Sequence, residues 1–262
     1  PRKGDTDLTA EVLVFNFRNP SAALGNFLQG ALENFALIKA RTSIADAVAG
    51  LQEQDVSFDL NNTFFIGHSQ GGTTGPLFLP FEPAIKGAVL SGTGGGLAES
   101  VLRKFAPVDV RDGVILALQD ETISRIHPVL SLLQSYYEPV DPVNYAQFLF
   151  HRPLDGMHPI RTLHLYGLED EHTPPATIKS FSAAMRAYLA ASSDLAAGEF
   201  DDFAGVTIKE SPITTDRGVT VEYKAQDGMD PHFVLFNHPE TIKHYTNYLG
   251  TSVLDSKPTV VE

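Results

Sequence analysis

The feature that most constrains this chain is the pentapeptide Gly67-His68-Ser69-Gln70-Gly71, placed between a short β-rich run and a stretch suited to a helix. The run before it, Asn62 to Ile66 (NTFFI), is β-rich, and Gly71-Gly72 lead toward Leu79, where Pro80 stops a helix. A serine between two glycines, two positions away on either side, fits a turn so sharp that strand and helix pass at close range. Such a turn lifts the hydroxyl above the end of a sheet. It also aims the next backbone N–H, that of Gln70, at a nearby anion. A Gly-rich turn carrying an incidental serine is the plain alternative.

The rest of the chain reads as strands alternating with helices. Glu11 to Phe17, Ile85 to Leu90, Arg161 to Tyr166 and Val219 to Lys224 read as strands. Ser21 is the expected N-cap of a helix from Ala22 to about Gly50, with a break near Arg41-Thr42-Ser43. Its apolar positions Leu24, Phe27, Leu28, Leu32, Phe35 and Ile38 recur at helical spacing. Thr177 to Ala191 and Glu240 to Leu249 are further helices. The alternation predicts an α/β fold with a mostly parallel sheet flanked by helices. Residues 97–154 are too long for a simple connection. They read as a helical lid insertion dividing a core of residues 1–96 and 155–262.

A serine hydroxyl is a weak nucleophile at neutral pH and needs a histidine base, itself oriented by a carboxylate. Asp170 follows the strand ending at Tyr166, on the sheet edge where the serine turn also lies; Glu169 is the alternative if the turn is read one residue out. His232 follows the last strand on the loop from Asp227, with the apolar Phe233-Val234-Leu235-Phe236 after it to hold that loop. His238 competes, at a helix start beside Pro239. His68 reads as a local packing residue rather than a base. The order serine, acid, histidine is the one found when such a triad sits on an open parallel sheet.

Composition removes other classes. The formal net charge of −13 opposes nucleic-acid and anionic-lipid partners. There is no cysteine, so thiolate metal sites and disulfides are out. No apolar run has the length of a membrane span. The glycines at 92, 94, 95 and 96 fail the dinucleotide pattern because Leu97 holds its last glycine position. No metal motif occurs, and no cofactor or catalytic metal is expected.

With these segments in place, the chain resembles the bacterial extracellular lipase/esterase branch of the α/β-hydrolase superfamily. The resemblance rests on Asn26-Phe27-Leu28-Gln29-Gly30, the turn Gly67 to Gly72, Val89-Leu90-Ser91-Gly92 and Asp141-Pro142-Val143-Asn144-Tyr145. It continues through Gly167-Leu168-Glu169-Asp170 with Thr173-Pro174-Pro175, and His232-Phe233-Val234-Leu235-Phe236. It implies an α/β-hydrolase fold and ester hydrolysis through an acyl-enzyme, with catalytic Ser69, Asp170 and His232 and the Gln70 N–H in the oxyanion hole. The implied substrate is a small or lipid-like ester and the implied setting is secreted. Two departures stand out. The family's early strands, and the His-Gly loop that supplies the second oxyanion donor, have no counterpart before the turn. They are expected on a separate N-terminal fragment, this chain being the C-terminal part of the catalytic domain. Met229-Asp230-Pro231 also intervene between Gly228 and His232, where the family has Asp-Gly-His directly. Thioesterase, peptidase or acyltransferase chemistry on the same triad is the first alternative, and a non-catalytic binding module is the second.

Overall fold

The computed structural model describes residues 18–49, 58–190, 207–254 and 257–261, together with Val14 and Asn16. The strand expected at 11–17 lies otherwise outside the described residues, and neither Val14 nor Asn16 is in a strand.

The chain forms α1 (Pro20–Ala49), β1 (Thr63–His68), α2 (Gln70–Thr74), β2 (Ile85–Ser91), α3 (Leu97–Arg103), α4 (Val110–Leu118), α5 (Pro128–Tyr137) and α6 (Pro142–Leu149). There follow β3 (Arg161–Gly167), α7 (Pro175–Met185), β4 (Tyr188–Ala190), β5 (Thr207–Lys209), β6 (Ile213–Thr214), β7 (Val219–Tyr223), α8 (Val234–Asn237), α9 (Pro239–Leu254) and β8 (Thr259–Val260). Among the described residues six strands make one sheet in the order β1-β2-β3-β7-β4-β5, and every neighbouring pair is parallel. β6 and β8 form a small antiparallel pair. The fold class expected from the sequence, a mostly parallel sheet flanked by helices, is the one observed.

Burial on both faces explains the apolar runs in the central strands. β7 is buried throughout, and in β2 only Lys86 is exposed. Alternate side chains divide between two cores. Ala88 and Leu90 join Phe27 of α1, Leu149 of α6 and Phe181 of α7. Val89, Leu163, Leu165, Val219 and Val221 pack with Tyr248 of α9. β1 differs. Among the described residues its only strand neighbour is β2, and Ile66 is 50% exposed although the strand is apolar.

Several helix boundaries differ from expectation. α1 begins one residue before Ser21, and Asn19 supplies the cap by accepting from the Ala22 N–H at 3.1 Å. It runs unbroken through Arg41-Thr42-Ser43, because such residues cost only tenths of a kcal/mol each in a helix. Leu28 and Leu32 face solvent, while Ala23, Phe27 and Ala31 are buried. The helix expected to reach Leu79 stops at Thr74 and gives way to 3₁₀ turns at Gly75–Leu77 and Leu79–Phe81. Pro76 removes a helical donor there, and the Thr73 and Thr74 hydroxyls bond back to the Ser69 and Gln70 carbonyls. α7 ends at Met185, where Arg186 turns left-handed (φ 55°), and β4 occupies part of the span expected to be helix.

Residues 97–149 carry four helices, three of them opened by a side-chain cap: Asp109, His127 and Asp141 accept from Asp112, Val129 and Val143. Asp141 does more than cap. Its buried carboxylate also accepts the Gly96 and Leu97 N–H groups, at 2.9 and 2.8 Å, and the Gln134 amide at 2.9 Å. It thereby ties α6 and α5 to the loop that leaves β2. Further along, the Lys104 ammonium donates to the His172 carbonyl at 2.6 Å, and the N–H groups of Phe105 and Ala106 donate to the Glu171 carbonyl. The helical segment is thus held to the loop after β3.

Candidate active site

Ser69 sits between β1 and α2 with φ 54° and ψ −118°. A non-glycine residue there is strained by roughly 1–3 kcal/mol, so the surroundings must enforce the turn. They do so through the Ser69 N–H, which donates to the Ser91 carbonyl at 2.8 Å, and through glycines at the close approaches. A Cβ on Gly67 would lie 2.7 Å from the Gly71 carbonyl oxygen, and one on Gly72 2.2 Å from the Thr93 hydroxyl. Gln70 opens α2, and the first N–H groups of a helix have no intrahelical acceptor, so its N–H is available to an anion beside Ser69.

β3 delivers the candidate acid. Glu169 adopts φ 62° and is exposed, which turns the next side chain inward. Asp170 is 2% exposed. Its Oδ1 accepts the His172 and Thr173 N–H groups, each at 2.8 Å, and its Oδ2 meets His232 Nδ1 at 2.8 Å. The structure thus brings Asp170, not Glu169, to the histidine.

The loop carrying the candidate base follows β7. Asp230 caps a 3₁₀ turn at Pro231–Phe233 by accepting the His232 N–H at 2.9 Å. With Nδ1 on a carboxylate, the imidazole carries its proton on Nδ1 and leaves Nε2 free to accept one. The ring edge lies against Gly92, where a Cβ would stand 3.3 Å from His232 Cε1. The Ser69 hydroxyl makes no hydrogen bond to this ring. The competitor His238 is buried beside Tyr223, with ring centroids 5.2 Å apart, and has no contact with either acidic candidate.

Two further imidazoles surround the base. His172 stacks on His232 with centroids 4.4 Å apart and planes within 11°. His68 lies 4.6 Å away, tilted by 48°, with its Nδ1 3.2 Å from the Ser91 hydroxyl. Burial, reinforced by the nearby His232, lowers the His68 pKa to about 4, so its ring is neutral at pH 7. Burial and the same neighbour lower that of His172. Sequence reasoning treated His68 as local packing, whereas its ring lies against His232, Phe233 and Phe236 from the segment after β7. It missed His172 altogether, and the signal that could have found it is the recurrence of Asp-x-His at 170–172 and 230–232.

Phe236 (57% exposed) and Phe233 (37% exposed) lie beside these rings, Phe233 against His68, His172 and His232 and Phe236 against His68, and present an apolar surface there. A cavity of about 750 Å³ lies between the helical segment and the acid loop, lined by Leu102, Phe105, Arg111, Asp170 and Pro174 among others. Among the described residues no group of three or more His, Cys, Asp or Glu is placed to hold a metal ion. No helix among them is long and apolar enough to cross a membrane.

No protein-family model matches the sequence, and no curated protein is similar to it. Solved structures resemble its chain trace at a distance. The acylaminoacyl peptidase of Pyrococcus horikoshii is 14% identical with a TM-score of 0.43, over 92% of this chain and 30% of that one. Acetyl xylan esterase 1 from Thermoanaerobacterium sp. is 16% identical with a TM-score of 0.43, over 90% of this chain and 62% of the esterase. The enol-lactonase of Burkholderia xenovorans is 15% identical with a TM-score of 0.32, over 80% and 72%. The chain therefore spans under a third of the peptidase and less than two thirds of the xylan esterase. Likeness at this level leaves the reading of the site to its own geometry.

Proposed function

We propose that this chain carries the nucleophile, acid and base of an α/β-hydrolase-type serine hydrolase that cleaves carboxylic esters through an acyl-enzyme. The observation that carries the reading is the conjunction of a strained Ser69 at the end of β1 with a buried Asp170–His232 pair at 2.8 Å. In this reading Ser69 Oγ attacks the ester carbonyl while His232 Nε2 takes the hydroxyl proton. Asp170 holds the ring and stabilises its cationic form. The tetrahedral oxyanion receives the Gln70 N–H. Collapse breaks the C–O bond of the leaving alcohol, which takes the proton from His232. Water, deprotonated by His232, then releases the acid and regenerates Ser69.

The exposed Phe233 and Phe236 favour an apolar acyl or alcohol group, and the helices of residues 97–154 serve as the cap over that group. The second oxyanion donor comes from outside the described residues. The edge of β1 that has no strand partner among the described residues is where further strands would complete the sheet, in keeping with the half-exposed Ile66 on an otherwise apolar strand.

One observation favours a different reading, a binding module without catalysis: the Ser69 hydroxyl makes no hydrogen bond to His232. In enzymes of this kind that bond commonly tightens only as substrate enters. A panel of p-nitrophenyl esters, a thioester and an anilide, assayed with wild type and Ser69→Ala, separates the readings. Ester turnover abolished by Ser69→Ala supports the proposal. An anilide preference moves it to peptide chemistry, and full ester turnover by Ser69→Ala overturns it.

A further inference from the structure

Two Asp-x-His units face one another, one in each loop, and they exchange partners. Within its own unit each aspartate accepts the N–H of the histidine two residues on: Asp170 Oδ1 from His172 at 2.8 Å, Asp230 Oδ1 from His232 at 2.9 Å. Across the loops, each aspartate's second oxygen meets the other unit's imidazole. Asp170 Oδ2 lies 2.8 Å from His232 Nδ1, and Asp230 Oδ2 lies 3.3 Å from His172 Nε2. The four contacts close a circuit, and the two imidazoles stack across it, 4.4 Å apart and within 11° of parallel.

The two halves are not equivalent. The Asp170–His232 half is dry, with side-chain exposures of 1% and 4%, while the Asp230–His172 half is wetter, at 45% and 17%. A short buried pair suits proton handling, while the longer, half-solvated contact adds a modest tie between the two loops. Lys104 anchors the second unit from the helical segment by donating to the His172 carbonyl. The groups facing the His172 ring are His232, Asp230 and Phe233 from the base loop, Asp170 from its own loop, and Lys104.

We propose that His172 is a positioning residue for His232. Its ring fixes the plane of His232 by stacking, and its 3.3 Å contact with Asp230 holds the loop after β7 to the loop after β3, so that Nδ1 stays on Asp170 and Nε2 stays free to accept a proton. The residues Met229-Asp230-Pro231, which separate this loop from the pattern its resemblance implies, are then what supplies that contact. The proposal rests on the reading of His232 as the base, but half of its test does not.

The test compares wild type, His172→Ala, His172→Phe and Asp230→Asn. The first readout is the low-field proton NMR signal of the His232 Nδ1–H, assigned by its loss in Asp170→Asn. The second is kcat and KM for a short-chain p-nitrophenyl ester. His172→Ala is expected to weaken or remove the signal and to lower kcat by about 10- to 100-fold, with KM within twofold. His172→Phe keeps the stack and loses the contact with Asp230, and Asp230→Asn keeps the stack and can still cap His232. Both fall between wild type and His172→Ala. An unchanged signal and kcat in His172→Ala overturns the proposal. If His172→Ala does not fold, wild-type values in both other variants overturn it equally. Should the wild type hydrolyse nothing, the esterase reading fails, while the NMR signal alone still decides whether His172 holds His232.

Discussion

Gly167 ends β3 directly beneath the loop that carries His232, and a methyl group there would drive Asp170 and His232, the acid and base of the proposed triad, apart. A Cβ at this position would lie 2.3 Å from the Pro231 carbonyl oxygen, 2.8 Å from its carbon and 2.9 Å from its Cα. All three are backbone atoms, so no side chain can swing away. Restoring an ordinary contact of about 3.4 Å requires the backbones to separate by roughly 1 Å. Pro231 precedes His232, and Gly167 lies three residues before Asp170. The displacement therefore falls on the 2.8 Å contact between Asp170 and His232, which would stretch beyond hydrogen-bonding range. A misplacement of about 1 Å costs on the order of 10² in rate, and overpacking of this kind costs about 1–3 kcal/mol in stability. Gly167→Ala should thus remain folded while kcat/KM for ester hydrolysis falls about 100-fold. The assay is p-nitrophenyl ester turnover beside urea unfolding. Gly250→Ala is the control, since its Cβ meets nothing within 4 Å in the middle of α9. It should leave activity unchanged and stabilise the protein by about 0.5–1 kcal/mol. A folded Gly167→Ala variant with ester turnover within threefold of wild type would mean that this contact does not hold Asp170 to His232.

Asp141→Ala removes the acceptor of the Gly96, Leu97 and Val143 N–H groups and of the Gln134 amide. It should destabilise the protein by about 3–5 kcal/mol in denaturant unfolding, whereas a loss under 1 kcal/mol would mean that Asp141 does not hold the helical segment. Burial lowers the His164 pKa to about 3, against 6.5 for an unperturbed histidine. Between those values the unfolded chain binds a proton that the folded chain refuses, so stability is complete above about pH 6.5 and is lost as pH falls toward 3. The slope is about 1.4 kcal/mol per pH unit for one group, and His68 adds in the same direction down to about pH 4. Urea midpoints measured from pH 7 to 4 should fall accordingly, with a shallower fall in His164→Gln.

The parts of the site tied to strand ends were legible in the sequence. Ser69 is bracketed by glycines after a β-rich run, Asp170 follows another such run, and His232 follows the last. A parallel sheet gathers such ends at one edge. That Asp170 rather than Glu169 meets His232 depends on the left-handed backbone at Glu169, which sequence does not announce. β4 and β5, with three residues each, are too short to show a period, and so Arg186 to Ala190 read as the tail of a helix. The Asp-x-His circuit stayed hidden for another reason. Its two halves lie sixty positions apart along the chain, and only the packing of β3 beside β7 makes them neighbours.

The central claim is that Ser69 is an activated nucleophile. Reaction with a fluorophosphonate probe under native conditions, read by intact mass and peptide mapping with any associated chain left in place, tests it directly. One label is expected, on the peptide carrying Ser69, lost in Ser69→Ala and strongly slowed in His232→Ala. A folded protein that takes no label, or takes it elsewhere, would contradict it.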